Sequence, residues 1–206
     1  MSDFSTHPLF ADRLARLRCQ DCSSQEFRRH VVDISKLLVL PATQELPTRE
    51  VTVTTPVRET QGRILERPII LVPILRAGLA LSEGFHQLLP EASIAHYGLA
   101  RNEETLQPEV YFEKFPAGLP DADVFVLDPM LATGGSASIT ISGLKENGAT
   151  HLHFVCLVAS PEGLARLKED HPDVRITCAA IDEGLNEKGY IVPGLGDAGD
   201  RTFGTL

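Results

Sequence analysis

Apolar positions recur at helical spacing over the first forty residues, then give way to short, continuous apolar runs. Phe10, Leu14 and Leu17 fall on one face of an amphipathic segment. Ser23-x-x-Glu26 has the form of a capping box, in which a hydroxyl and a carboxylate satisfy the first free N–H groups of a helix. Phe27, Val31, Ile34 and Leu38 follow at three- and four-residue steps, the stripe of a helix packed on a larger body. Pro41 and the polar run to Pro47 predict its end. Val51 and Val53 alternate with threonines, which predicts a half-buried strand.

From Ile69 the pattern alternates between strand and helix. Residues 69–75 form a continuous apolar run, as expected of a strand buried on both faces. A helix is predicted over 77–89, strands over 94–100 and 124–127, and a helix over 136–146 closed by Asn147-Gly148. A strand over 152–158 precedes Ser160-Pro161-Glu162, where a cap, a first-turn proline and a favourable acid open a helix over 161–169. The last strand is predicted over 174–181. Strands separated by helices of this length need crossover connections, so the expected fold is α/β, a mainly parallel sheet with helices on both faces.

Two stretches break the alternation. Val110-Tyr-Phe-Glu-Lys-Phe115 reads as one arm of a hairpin projecting from the sheet. Tyr111, Phe112 and Phe115 on it are either core residues or an exposed homodimer contact. From Glu183 the chain is rich in glycine and proline and shows neither period, and such a segment in a compact domain is usually functional or disordered. A single domain over 1–206 is expected, with a helical segment over about 1–48 and a distinct C-terminal segment over about 183–206.

Charge and composition narrow the function. With 206 residues, 43% hydrophobic and 23% charged, the chain has ordinary globular composition. No apolar run approaches the roughly 20 residues of a membrane span. The first residues carry no basic or apolar secretion signal, so a cytoplasmic location is expected. A net charge of −9 argues against a broad nucleic-acid surface. Of four cysteines, Cys19 and Cys22 have zinc-like spacing but no second pair to match. Cys156 and Cys178 lie in apolar strand patterns and are read as small core residues.

Candidate chemistry gathers where the strands end. Val124-Phe-Val-Leu-Asp128-Pro-Met-Leu-Ala132-Thr133-Gly134-Gly135-Ser136 is a strand that delivers an acid, then a turn of small and hydroxyl residues, then a helix start. Free N–H groups and the helix dipole make such a turn a cradle for an anion. It is not a Walker loop, since no lysine follows the glycines, and it lacks the G-x-G-x-x-G dinucleotide pattern. Arg76, Arg101, Asp128, Ser160 and Asp182 each follow a proposed strand. In an open parallel sheet these positions share one rim, where ligands bind. Two arginines, an acid and an anion cradle suit a ligand bearing phosphates and hydroxyls.

The residues from Asp128 to Ser136 resemble the loop with which phosphoribosyltransferases bind phosphoribosyl pyrophosphate (PRPP), in the form found in the uracil phosphoribosyltransferase family. Pro73-Ile-Leu-Arg76-Ala-Gly78, Arg101-Asn-Glu-Glu-Thr105, Glu183-Gly-Leu-Asn-Glu-Lys-Gly-Tyr190 and Pro193-Gly-Leu-Gly-Asp197-Ala-Gly-Asp200 look like further motifs of that family, in its order. The resemblance implies a type I phosphoribosyltransferase fold with a projecting β-arm and a C-terminal base-binding hood. It implies conversion of uracil and PRPP to UMP and diphosphate in pyrimidine salvage. PRPP would be held by Arg76, Arg101, Asp128, Pro129, Met130, Leu131, Ala132, Thr133, Gly134, Gly135, Ser136 and Asp197, and uracil by Ile191, Gly196, Asp197 and Ala198, largely through backbone groups. Arg76, Asp128 and Asp197 are the residues expected to act in catalysis, with no separate protein metal site. Many phosphoribosyltransferases carry two adjacent acids where this chain has Asp128-Pro129, the form expected of the uracil branch. Mg²⁺ is expected as Mg-PRPP, GTP as an allosteric activator, and a homodimer or larger homo-oligomer as the assembly. The alternatives are a transferase for another base, an RNA-binding regulator of pyrimidine genes on the same fold, and an interaction protein that has lost catalysis. The acidic balance argues against the RNA-binding role, and retention of Arg76, Arg101, Asp128 and Asp197 against loss of catalysis.

Overall fold

The structure is a computed structural model that describes residues 2–101 and 108–205. Its elements in chain order are β1 (Ser2–Asp3), α1 (Pro8–Arg18), α2 (Ser24–Thr43), β2 (Thr48–Thr54), β3 (Glu59–Leu65), β4 (Ile69–Leu75), α3 (Gly78–Leu88), β5 (Ser93–Ile94), β6 (His96–Arg101) and β7 (Pro108–Lys114). Then follow β8 (Asp123–Leu127), β9 (Met130–Leu131), α4 (Gly135–Glu146), β10 (His151–Ala159), α5 (Pro161–Asp170), β11 (Arg175–Ile181), β12 (Gly184–Leu185), β13 (Ile191–Val192) and α6 (Ala198–Phe203). The main sheet runs β1-β11-β10-β8-β4-β6-β7, with β5 also on β4 and β9 also on β10. Every pairing in it is parallel except β6 with β7.

The continuous apolar strands are divided residue by residue between two faces. Ile69 and Leu71 of β4 and Phe125 and Leu127 of β8 join one core with α1, α2 and α3. Ile70, Val72 and Ile74 with Val124 and Val126 join the other, with α4 and α5. This is the two-residue alternation of a strand covered on both sides. Each such side chain, taken fully out of water, contributes roughly 1.5–3 kcal/mol. The C-terminal residues Ile191, Leu195 and Ala198 belong to the first core, so the tail is packed onto the N-terminal helices. The mainly parallel α/β sheet read from the sequence is the observed one.

Several local expectations change. Pro41 lies inside α2, in its final turn, where its missing N–H removes a single helical bond and the helix continues to Thr43. Ser23 and Glu26 do form the capping box. Residues 94–100 are split between β5 and β6. The tail contains α6, which the lack of periodicity did not predict: Asp197 caps it by accepting the Asp200 N–H at 2.9 Å. Five residues of the expected arm, Val110 to Lys114, lie in β7, the antiparallel edge strand. Tyr111 and Phe112 on it are exposed. Phe115 instead packs on the second core and stacks on Tyr97, their ring centroids 6.1 Å apart. A second antiparallel hairpin, β2–β3, stands outside the main sheet and exposes Val53, Val57, Ile64 and Leu65. The motif residues at 102–105 lie outside the described residues, apart from the backbone of Arg101, which ends β6.

Candidate active site

β8 ends at Leu127 and delivers Asp128 to the top of the sheet. The Asp128 N–H donates to the Val155 carbonyl (3.1 Å), and its Oδ1 accepts from the Met130 N–H at 3.3 Å. Burial pushes its pKa up to about 7, with the Met130 N–H opposing the shift. The turn then rejoins the sheet as β9 beside β10, with the Leu131 carbonyl accepting the Ser160 N–H. Leu131 turns its side chain into the second core, and Pro129 is buried. Gly134, at φ +78°, then starts α4 as an N-cap without a side chain, so of the first N–H groups, at Gly135 and Ser136, only that of Gly135 meets a side chain, the Thr133 hydroxyl at 3.5 Å. Thr133 is exposed beside them.

α5 braces this turn from behind. The Ser160 hydroxyl donates to the Ala132 carbonyl at 2.6 Å and accepts from the Gly163 N–H at 2.9 Å. A Cβ on Gly163 would meet the Ala132 carbonyl oxygen, and one on Gly134 would lie 3.1 Å from the Gly163 carbonyl. Gly134 is therefore required by its left-handed backbone and by the approach of α5 from behind. Ser160, placed on the ligand rim by sequence position, is fully buried and serves as cap and brace.

Asp182 also leaves the rim. Arg18, at the end of α1, holds it through a two-pronged pair of 2.7 and 2.8 Å and donates to the Gly194 carbonyl at 3.0 Å. Asp182 in turn accepts the Gly194 N–H at 2.9 Å. Arg201, on α6, donates to the carbonyls of Leu17 (2.7 Å), Leu195 (2.8 Å) and Cys19 (2.5 Å) and lies over the Phe27 ring. These two arginines fasten the C-terminal segment to α1 and α2. Neither stood out in the sequence, because apart from Leu195 the groups they hold lie more than 160 residues away.

Between the turn and this segment is a cavity of about 230 Å³ lined by Ala77, Asp128, Met130, Ala132, Gly189, Tyr190, Ile191, Gly196, Asp197, Ala198 and Gly199. The structure thus brings Asp128, Met130 and Ala132 to the same space as Ile191, Gly196, Asp197 and Ala198. Ile191 and Ala198 bury their side chains, so they present mainly backbone to the cavity. Arg76 stands at the edge, half-exposed, with Nη2 3.2 Å from Asp200 Oδ1 and its guanidinium over Phe203. The Leu75–Arg76 and Val192–Pro193 peptides are cis. Larger concavities lie elsewhere, one of about 550 Å³ beside Glu45, His153 and Arg175 and one of about 570 Å³ at the root of β2–β3. Neither is lined by the start of a helix. Among the described residues no cluster of His, Cys, Asp and Glu is arranged to hold a metal ion, and no helix is long and apolar enough to cross a membrane.

An acid at a strand end, an uncapped glycine turn and a helix N-terminus on a parallel sheet place the protein, by fold, among the type I phosphoribosyltransferases. A purine phosphoribosyltransferase from Pyrococcus horikoshii shares that fold at 16% identity, with a TM-score of 0.50 over 76% of this chain and 92% of that one. The structure of the AQ2163 protein from Aquifex aeolicus superposes with a TM-score of 0.90 at 38% identity, covering 96% of this chain and 95% of that one. The family model described as uracil phosphoribosyltransferase matches residues 4–205. Proteins named uracil phosphoribosyltransferase from Streptococcus equi subsp. zooepidemicus and Acholeplasma laidlawii are 49% and 51% identical, each over 97% of this chain and 96% of their own. The chain belongs to the uracil phosphoribosyltransferase family.

Proposed function

We propose that this protein transfers the phosphoribosyl group of PRPP to N1 of uracil, giving UMP and diphosphate. The observation that carries the reading is the cavity in which Asp128 and the turn before α4 face the backbone of residues 189–199. The 5′-phosphate sits at the N-terminus of α4, against the N–H groups of Gly134, Gly135 and Ser136 and the hydroxyls of Thr133 and Ser136, where the helix dipole favours negative charge. Asp128 accepts hydrogen bonds from the ribose hydroxyls. Arg76 and Arg101 take the diphosphate, for which a forked guanidinium is suited. The Arg76–Asp200 contact is an exposed pair of the kind worth about 0–1 kcal/mol, so it yields readily to a phosphate.

Uracil lies against residues 190–198. Its acceptor–donor–acceptor edge is matched by backbone N–H and C=O groups of Ile191, Gly196 and Ala198, which are held in place by the Arg18 and Arg201 contacts. Asp197 lines the same cavity, and its Oδ1 caps α6; it is our candidate to assist departure of the N1 proton. Attack of N1 at C1 of the ribose proceeds with inversion through an oxocarbenium-like transition state. The chain's contribution is alignment of base and leaving group and stabilisation of the departing charge.

Mg²⁺ enters as part of the substrate, Mg-PRPP, and neutralises charge on the diphosphate. The cavity would suit it: Asp197 lines it and would reach the waters that Mg²⁺ keeps, while Asp128 stays with the ribose hydroxyls. A homodimer or larger assembly is supported by the exposed Tyr111 and Phe112 on β7. Activation by GTP rests on the family resemblance alone. The test is incubation of the protein with Mg-PRPP and single bases. Uracil-dependent release of diphosphate with formation of UMP is expected, and release with no base tested would refute the reading.

A further inference from the structure

Cys19 and Cys22 play no part in the reaction proposed above, yet they sit against the group that fastens the base-facing segment. Cys19 is exposed and Cys22 half-buried, and both are free thiols. The Cys22 N–H donates to the Cys19 carbonyl at 3.3 Å, closing a tight turn over residues 19–22. The ends of such a turn lie within 7 Å, a Cα separation that overlaps the range a disulfide spans. The Cys19 carbonyl has a second donor, Arg201 Nη2 at 2.5 Å, and the same guanidinium holds Leu195. Both thiols lie close enough to feel the Arg201 charge.

We propose that Cys19 and Cys22 form a reversible disulfide that loosens the base-facing segment through Arg201. The Cys19 thiolate, exposed to solvent, attacks one sulfur of a small-molecule disulfide and expels one thiolate, leaving a mixed disulfide on Cys19. The Cys22 thiolate then attacks the Cys19 sulfur and expels the second. Two protein thiols become one disulfide, the small disulfide is reduced to two thiols, and the two protons pass to them. Burial, with Glu26, raises the Cys22 pKa against the opposing pull of Arg201, so Cys22 is the poorer thiolate and the exposed Cys19 attacks first. Closing it draws Cys22 Sγ off the Ser23 carbonyl, 3.7 Å away, and shifts the turn that carries the Cys19 carbonyl, so Arg201 holds that acceptor, Leu195 and the start of α6 less firmly. In a reducing compartment such a bond is transient and serves as a sensor.

The kinetic part of this inference rests on the proposed reaction with uracil; the structural part does not. The full-length protein is equilibrated with oxidised and reduced glutathione in varying ratio. Peptide mapping then assigns any disulfide, and hydrogen exchange is followed over residues 195–203. The expected results are a Cys19–Cys22 link, distinct from the buried Cys156 and Cys178, and faster exchange over that segment, both reversed by dithiothreitol and absent in Cys22→Ser. The KM for uracil should rise roughly three- to tenfold, the worth of about one hydrogen bond, with the KM for PRPP unchanged. Absence of the link under fully oxidised glutathione overturns the proposal, as does a link that leaves exchange unaltered. If the reduced protein makes no UMP, the proposed function falls, while exchange still decides this inference.

Discussion

The guanidinium of Arg18 grips both carboxylate oxygens of Asp182, at 2.7 and 2.8 Å, and so ties the end of the first helix to the residue after the last long strand. Asp182 is almost wholly buried and also accepts the Gly194 N–H, so the pair fixes where the C-terminal segment begins. Arg18→Ala leaves that carboxylate buried without its partner. Breaking a fully buried pair costs roughly 3–5 kcal/mol. Arg18 is partly exposed, so the expected loss falls below that range, about 2–3 kcal/mol by urea unfolding, with the KM for uracil raised more than that for PRPP. Stability within about 0.5 kcal/mol of the parent, the spread of ordinary surface changes, would show that the pair carries no load.

Arg76 leans on Asp200 and Phe203 at the edge of the cavity. In the proposed reaction it meets the diphosphate as charge develops there. Loss of one well-placed donor of this kind costs about 10²–10³ in rate. Arg76→Ala should therefore lower kcat/KM for PRPP by roughly that factor while circular dichroism and melting stay close to the parent. A fall of less than about threefold in a folded variant would reduce Arg76 to a surface charge.

Gly134 stands at φ +78° with the Gly163 carbonyl 3.1 Å from where a Cβ would be. Gly134→Ala pays the left-handed strain of roughly 1–2 kcal/mol and pushes the turn away from α5. Steady-state kinetics should show the KM for PRPP rising while that for uracil changes little. An unchanged KM for PRPP in the folded variant would remove the turn from the phosphate site.

Asp128 gives a pH dependence whose sign can be worked out. Its folded pKa, about 7, lies above the ordinary 3.8, so between these values the folded state binds more protons than the unfolded. Its contribution to stability therefore declines as pH rises from about 4 to about 7. His153, whose pKa burial lowers to about 4, acts oppositely: stability is lost as pH falls from its ordinary 6.5. The comparison with Asp128→Asn isolates the acid, because the amide stays neutral throughout. Melting curves of the two proteins should diverge in favour of the variant as pH rises through that window. A difference in Tm independent of pH would mean that the carboxylate is not desolvated.

What the sequence made legible was local. The stretch from Val124 to Ser136 announces a buried strand, an acid and an uncapped helix start within thirteen residues, so its fold follows from neighbours alone. Ile69–Leu75 was equally plain, since both its faces are apolar. The pieces that escaped depend on distant partners. α6 is six residues long and is held by Arg28, which donates to the Thr202 carbonyl, and by contacts of Arg201 with α1. Nothing in its own composition marks it as a helix. Ser160 and Asp182 occupy strand ends, as ligand residues do, but their side chains turn to Ala132 and Arg18, a choice set by tertiary packing. The exposed β3 carries too few apolar residues to show a strand period.

The central claim is that backbone groups of residues 190–198 read uracil. Cytosine replaces the O4 acceptor with an amino donor and the N3–H donor with an acceptor, so a backbone pattern built for uracil meets it with two mismatched pairs. Each buried polar group left unpaired costs about 1–3 kcal/mol, which predicts a preference on the order of 10²–10⁴ in kcat/KM. 5-Fluorouracil keeps the pairing edge and should react. The direct measurement is a set of progress curves with uracil, 5-fluorouracil, cytosine and orotate at fixed Mg-PRPP. Turnover of uracil and 5-fluorouracil with cytosine slower by at least about a hundredfold is the predicted result. Cytosine within about tenfold of uracil, less than one unpaired buried group costs at the upper end of its range, would contradict it.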